Sequence, residues 1–367
     1  MRVVIVGHTY VVAFNRGKLR HLSDLGVEWT LIAPRTWPER DFGDKPFEDE
    51  DGLPGVLLPA VGKGHVRKYR FDDADLMRAL ADFAPDIVHV EAEAGSRVAL
   101  QVARCKPAAA RLSQFVWENI PTGLRPHAVA MRRNYGKIDH LFCGSTGARD
   151  AAARDGYRGP ASVIAQVGID PAEARDIAPN RHYTADTFVV GFVARLDRKK
   201  GIFDLFDAFD RCSAPAGLVI VGDGPDRDAV IERAAQSPKR AQINIVGAVD
   251  HDRVAAELKG MDVLVLPSRT TRGWMEQFGH ILIEAMAVDV PVVGSSSGAI
   301  PEVVGEAGVI FPEGDVDGLA QILDRLAQEP DERRRLTEAG RSRVERHYHD
   351  RRVAEQLTAV WSAMAER

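Results

Sequence analysis

Two glutamates separated by seven residues frame the stretch Trp274-Met275-Glu276-Gln277-Phe278-Gly279-His280-Ile281-Leu282-Ile283-Glu284-Ala285-Met286-Ala287. Glu276 falls in a loop that follows the apolar run 262–266. Gly279 permits a tight turn into a helix, and Glu284 sits on that helix, about 8 Å further along its axis. A helix N-terminus between two carboxylates offers free N–H groups and a partial positive charge, which suits a phosphate. Each carboxylate can accept hydrogen bonds from hydroxyls. A nucleotide sugar has that layout: sugar hydroxyls, diphosphate, ribose hydroxyls. For an isolated pair the simpler reading is a loop charge and an exposed helix residue. Against it, Glu284 stands among Ile281, Leu282, Ile283, Ala285, Met286 and Ala287, and a carboxylate in so apolar a helix needs a partner.

Three further segments bear on the same chemistry. Gly191-Phe192-Val193-Ala194-Arg195-Leu196-Asp197-Arg198-Lys199-Lys200-Gly201 reads as a strand, a cationic loop and a helix start. Arg195 and Lys200 are the candidate cations of this loop; the alternative is two solvated surface cations. Ser296-Ser297-Gly298-Ala299-Ile300-Pro301-Glu302 is a turn whose N–H groups can approach a phosphate or a sugar, or simply a tight turn capped by Glu302. Val221-Gly222-Asp223-Gly224-Pro225 closes a strand and borders the same place. It is not the dinucleotide fingerprint, because Arg227 stands where a third glycine is required.

These loops need a scaffold, and the pattern around them supplies one. Short apolar runs alternate with helical periodicity along the whole chain, the signature of βαβ units and parallel sheets. Strands are expected at 3–6, 27–33, 56–60, 87–90, 111–117, 140–143 and 162–165, then at 188–194, 217–221, 243–246, 262–266 and 290–293. Helices intervene, the first near 15–25 and ended by Gly26. Residues 37–53 read as a loop excursion and 65–71 as extended. The polar, proline-containing stretch 167–186 reads as a linker. The expected fold class is therefore α/β, with two doubly wound Rossmann-like domains facing a cleft. The first spans residues 1–170 and the second 187–347. A last helix in 348–367 packs back toward the first domain.

The composition fits a soluble globular protein of two domains. Of 367 residues, 45% are hydrophobic and 28% charged, and the net charge is −5. With that net charge no basic excess announces nucleic acid; the acidic excess lies in the second half, and the slightly more basic first half hints at an anionic or membrane-bound partner. Cys105, Cys143 and Cys212 are odd in number and lack C-x-x-C spacing; disulfides and a zinc site are not expected, and a reducing compartment is. The first apolar run stops at Gly7, too short for a signal peptide, and no run has the length of a membrane span. The reading is a cytoplasmic protein with possible peripheral contact at a membrane's inner face.

The spacing and neighbours of Glu276 and Glu284, with Glu276-Gln277-Phe278-Gly279, Glu284-Ala285-Met286-Ala287 and Pro291-Val292-Val293, resemble the E-x7-E motif of family 4 retaining glycosyltransferases of the GT-B fold. The cationic loop resembles that family's G-R-L-x-x-x-K-G segment, with Ala194 where glycine is usual. By this resemblance Glu276 holds the donor sugar, Glu284 holds the ribose, and N–H groups around Phe278 and Gly279 meet sugar and phosphates. Arg195 and Lys200 bind the diphosphate, and Gly222, Gly224 and Gly298 line the donor. A nucleoside-diphosphate sugar is the expected donor and a saccharide or lipid-linked molecule the acceptor. No metal or other cofactor is expected, since fixed cations neutralise the leaving group.

The resemblance thins in the first half. The family's glycine-rich loop is replaced by Asn15-Arg16-Gly17-Lys18. Gly17 can bring N–H groups to the diphosphate with charge from Arg16 or Lys18, or the segment is an ordinary helix start with solvated cations. The family's histidine near the reacting carbon is missing from Phe115-Val116-Trp117-Glu118-Asn119. Trp117, Glu118, Asn119 and the nearby His127 are the acceptor-side candidates; for His127 and His89 a surface or structural role is the alternative. Asp289 stands where the family has glycine. The rival from another class is a non-catalytic nucleotide-sugar binder of the same fold. A dehydrogenase is disfavoured, because no first β–turn–α unit carries the G-x-G-x-x-G loop.

Overall fold

Runs such as Val3-Val4-Ile5-Val6 and Val263-Leu264-Val265-Leu266 are apolar on both faces and are completely buried. That is how strands of a parallel sheet covered by helices on both sides must read. A computed structural model describes residues 1–39, 43–50, 52–123 and 128–366. It divides the chain into two units, Met1–Gly168 with Asp350–Arg367, and Ile169–His349.

The first unit is built on seven parallel strands: β1 (Arg2–Gly7), β2 (Glu28–Pro34), β3 (Gly55–Leu58), β4 (Ile87–Glu91), β5 (Arg111–Val116), β6 (His140–Cys143) and β7 (Ala161–Val163). Their order in the sheet is β7-β6-β5-β4-β1-β2-β3. Local sequence sets the helix starts. The Asp72 carboxylate accepts hydrogen bonds from the N–H groups of Ala74 and Asp75, Ser96 accepts from Ala99, and Ser145 accepts from Ala148, each satisfying N–H groups that lack a partner within the helix. The helix Asp350–Ala365 belongs to this unit, with Trp361 fully buried and its indole N–H donating to Ser113 Oγ at 3.1 Å.

The second unit repeats the plan with β8 (Phe188–Val193), β9 (Ala216–Val221), β10 (Ile243–Gly247), β11 (Val263–Leu266), β12 (Val292–Ser295) and β13 (Gly308–Phe311). All are parallel, in the order β10-β9-β8-β11-β12-β13. Numbered within the unit that is 3-2-1-4-5-6, the doubly wound nucleotide-binding order. Phe192, Phe206 and Phe209 fill its core. The three cysteines are free and buried.

Several local expectations change. Residues 13–25 hold only 3-10 turns and a four-residue helix, Gly17–Arg20. Thr36–Glu39 and Gly43–Pro46 pair as an antiparallel ribbon inside the expected excursion, and of residues 65–71 only Arg70–Phe71 is strand. The strand Gly308–Phe311 was not foreseen. Of the stretch 167–186, read as a linker, residues 169–186 belong to the second unit and are strapped to it by polar side chains and carbonyls. Lys259 donates to the carbonyls of Ala174, Arg175 and Ile177, the Arg181 guanidinium lies 3.0 Å from the Asp262 carboxylate, and Asn180 and His182 both reach the buried Glu257 carboxylate. Asp289 does take a left-handed conformation, φ 68°, and Arg341 holds its carboxylate at 2.7 Å.

Candidate active site

In the second unit the strand order reverses between β8 and β11. Loops leaving the carboxyl ends of those strands border the place where such sheets take ligands. The first of these loops is residues 194–201. Arg195 is exposed there. The Asp197 carboxylate accepts from Lys199 N and caps a short turn, Arg198–Lys200, after which Gly201 turns the chain into the helix Ile202–Arg211. The second loop, 267–279, carries Glu276. The two loops are clasped together: Arg269 N donates to the Lys199 carbonyl at 2.7 Å, and Lys200 Nζ lies 2.7 Å from Glu276 Oε2. Ser268 Oγ donates to the same oxygen at 2.7 Å. Glu276 is only 5% exposed, so its charge is viable because an ammonium and a hydroxyl meet it.

A third loop fixes the backbone of Glu276. Ala299 N donates to the Glu276 carbonyl at 2.9 Å, and Ser297 Oγ accepts from Glu276 N. Gly298, with φ +53°, makes this approach possible, since a Cβ there would stand 2.0 Å from the Glu276 carbonyl oxygen. Gly222 and Gly224 lie in the turn after β9 and back onto the carbonyls of Ala194 and Leu196, bringing that turn against the cationic loop. Gly279 is left-handed, φ 83°, and opens the eight-residue helix His280–Ala287. The Phe278 ring is buried beside His280 and edge-on to Tyr348 at 5.7 Å. In the second turn of that helix, Glu284 is half-buried and has no partner among the described residues. Burial alone pushes its carboxyl up to about 7.

Sequence reasoning did not single out Ser268, Ser297 or Trp274, although all three stand in the loops that it did. Ser268 directly follows β11 by one proline and could have been found from that position. Trp274 lies half-buried at the end of a tight turn, with Lys199 Nζ and Lys200 Nζ each 5.1 Å from its ring centre.

The first unit places its candidates at the carboxyl ends of β4 and β5. Trp117 N and Glu118 N both donate to Glu93 Oε1, at 2.8 and 2.9 Å, and the Glu118 carboxylate pairs with Arg67 at 2.6 Å. Glu93, absent from the sequence reading, is the organising group. Burial, and after it the charge of Glu118, pushes its carboxyl up to about 7. The alternation Glu91-Ala92-Glu93 after an apolar strand was the available signal. Asn119 is buried. His127 lies outside the described residues. His89 has the structural role: it is buried, bonded through Nδ1 to Ser113 Oγ at 2.9 Å, and packed against Phe142 and Trp361.

The loop Asn15–Lys18 differs from both readings of it. Its cations are neither solvated nor presented to a ligand. Arg16 is fully buried, donates to the carbonyls of Tyr10, Val11 and Glu48, and stacks on Phe47. Lys18 Nζ is buried 2.5 Å from Glu91 Oε1, the oxygen that also accepts from Tyr10 Oη. Burial by itself would raise the Glu91 carboxyl; the Lys18 ammonium and His89 outweigh it and hold the group well below the usual range. Gly17 has ordinary helical angles. Its missing side chain makes room for Asp350, whose Oδ2 would lie 2.0 Å from a Cβ. The glycine therefore serves the seating of the last helix, because an internal carboxylate fills the space beside it.

The architecture is that of a two-domain doubly wound α/β protein with a phosphate-compatible loop cluster at the switch point of the second domain. Residues 12–168 match the glycosyl transferase 4-like domain and residues 175–343 the glycosyl transferases group 1. The chain belongs to the GT-B glycosyltransferases. A GDP-mannose-dependent monoacylated alpha-(1-6)-phosphatidylinositol monomannoside mannosyltransferase of Corynebacterium glutamicum is 30% identical over 199 residues, 52% of this chain and 52% of that protein. The capsular polysaccharide biosynthesis glycosyltransferase CapM of Staphylococcus aureus is 29% identical over 186 residues, 48% of this chain and 46% of that one. The chain thus spans about half the length of these curated relatives. The crystal structure of Anabaena HepE in complex with UDP is alike in fold, with a TM-score of 0.74 at 15% identity over 99% of this chain and 100% of that one.

Proposed function

We propose that this protein is a retaining glycosyltransferase that moves a sugar from a nucleoside-diphosphate sugar to a saccharide or lipid-linked acceptor, in the biosynthesis of a cell-surface polysaccharide or glycoconjugate. The observation that carries the reading is the pair of glutamates on either side of one helix N-terminus. Glu276 is held by Lys200 and Ser268, and Glu284 is half-buried without a partner among the described residues. A half-buried carboxylate left unpaired is costly, and ribose hydroxyls donating to it would remove that cost. The first turn of the helix 280–287 offers its N–H groups to the phosphates. Lys200 and Arg195 supply positive charge to a leaving diphosphate, so the transfer needs no metal. In the transfer, the bond from the anomeric carbon to the phosphate oxygen breaks and a bond to the acceptor oxygen forms on the same face. The acceptor's proton passes to the leaving phosphate.

On the acceptor side, Trp117, Glu118 and Asn119 surround the carbonyl end of β5, organised by Glu93. The names of the relatives support an acceptor in envelope or capsule chemistry. Among the described residues no helix is long and apolar enough to cross a membrane; a peripheral membrane position in the cytoplasm is part of the proposal.

The test is a thermal-shift screen against UDP, GDP, ADP, dTDP and their common sugars, with and without EDTA. A saturable rise in Tm for one nucleotide series, unchanged by EDTA, is expected and names the base. A folded sample that responds to none of them at millimolar concentration refutes the donor site.

A further inference from the structure

The turn before Glu276 carries a tryptophan whose surroundings the donor-site reading does not explain. Thr271 N donates to the Trp274 carbonyl at 2.7 Å, and Thr271 Oγ1 donates to the same oxygen. Arg272 and Gly273 form the tip of this clasp. The indole ring that follows the clasp has two ammonium groups against it, Lys199 Nζ and Lys200 Nζ, each 5.1 Å from the ring centre. Each ammonium also has a carboxylate. Lys199 pairs with Asp197 at 2.9 Å and Lys200 with Glu276 at 2.7 Å. The ring therefore lies beside two cation–carboxylate pairs, one within the cationic loop and one that joins it to the E-x7-E loop.

The two kinds of partner differ in what they do to a cation. A carboxylate neutralises it and competes with an incoming phosphate for the same protons. An aromatic face attracts it within about 6 Å and leaves its full charge facing outward. Lys200 has a flexible four-carbon stem, and its carboxylate partner is the residue assigned to the donor sugar. When Glu276 turns to hydroxyls, Lys200 loses its anchor unless another group holds it.

We propose that Trp274 is a positioning residue of the donor site: its ring keeps the Lys199 and Lys200 ammonium groups gathered as a diphosphate-binding pair when the Lys200–Glu276 ion pair opens. The inference rests on the donor-site reading and adds to it a residue and a way of holding charge.

The test is isothermal titration calorimetry of the full-length protein with UDP, GDP, ADP and dTDP, and with the matching nucleoside monophosphates. Wild type is compared with Trp274→Ala, Trp274→Leu and Trp274→Phe. Loss of two cation–aromatic contacts at a partly exposed site corresponds to roughly fivefold to tenfold weaker diphosphate binding. The alanine and leucine variants should show that loss, with the monophosphate affected less than twofold. The phenylalanine variant should stay within twofold of wild type. Equal diphosphate affinity in wild type and Trp274→Ala overturns the proposal. So do equal losses for mono- and diphosphate, which mark collapse of the loop, and so does failure of phenylalanine to restore binding. If wild type binds no nucleotide, the donor site itself is refuted, an outcome distinct from the other three.

Discussion

Replacing Glu284 by glutamine should make the ligand-free protein more stable at alkaline pH while weakening its hold on a nucleotide. The folded carboxyl titrates near 7 because burial disfavours its charge, against 4.5 for the ordinary group. Below about pH 4.5 the folded and unfolded states are both protonated, and the group contributes nothing. As pH rises toward 7 the unfolded chain ionises first, so the folded state loses stability; above 7 the loss is complete and constant. The interval corresponds to roughly 3 kcal/mol, reduced to about 2 for the residue's partial exposure to solvent. Glutamine has the same shape and no charge. At pH 5 the variant should be more stable by less than about 1 kcal/mol, and at pH 8.5 by about 2 kcal/mol, a Tm higher by roughly 4–8 °C for a unit of this size. Thermal unfolding of both proteins at the two pH values, without nucleotide, reads this directly. In parallel, the diphosphate found by the nucleotide screen should bind the wild type more tightly as pH rises through 7, since hydroxyl donors favour the carboxylate, and that dependence should vanish in Glu284→Gln. A glutamine variant no more stable than wild type at pH 8.5, or equally stabilised at pH 5, would show that Glu284 is already satisfied by solvent and that its strain is not reserved for a ligand.

Other perturbations follow from the same contacts. Arg195→Ala and Lys200→Ala should each lower turnover at least 100-fold in a sugar-transfer assay; unchanged turnover in both would remove the diphosphate assignment. Gly298→Ala places a methyl 2.0 Å from the Glu276 carbonyl oxygen at a left-handed position; it should reduce nucleotide binding more than tenfold by calorimetry while costing about 2 kcal/mol of stability. Gly17→Ala collides with Asp350 and should speed proteolysis of the last helix while leaving diphosphate affinity within twofold, whereas a glycine serving the diphosphate would show the reverse. Transfer activity should persist in excess EDTA, because arginine and lysine carry the neutralising charge; loss of activity restored by Mg²⁺ or Mn²⁺ would overturn metal independence.

The sheets were legible because each strand is a short apolar run bounded by polar turns, and parallel strands buried on both faces leave little else to read. Gly308–Phe311 escaped because Gly308-Val309-Ile310-Phe311 directly follows the helix end at Ala307 and has no turn signal of its own. The helix expected at 15–25 shortened because the Arg16 side chain binds nearby carbonyls as a chain crossing would, a contact with Glu48 that sequence spacing cannot show. The donor loops were visible as loops with unusual residue types. What remained hidden was their closure on one another: that Lys200 meets Glu276 depends on β8 and β11 being neighbours, a fact of strand order. Glu93 was hidden for the same reason, since its partners are the N–H groups of Trp117 and Glu118 in the loop that follows the next strand of the sheet.

The two units share a strand order and differ in what they do with charge at the switch point. In the first, the cations after β1 are committed internally. Arg16 holds carbonyls, Lys18 holds Glu91, and the space at Gly17 receives Asp350. In the second, Arg195 is exposed, Lys200 and Glu276 hold one another, and Glu284 has no partner among the described residues. An internal ion pair whose members are both assigned to a ligand is exchangeable; a cation already bound to several carbonyls is not. Divergence of this kind requires few residues, because the scaffold fixes where the loops end and only the side chains decide whether their charges are satisfied within the protein. The contrast supports the proposed placing of the donor nucleotide at the second sheet.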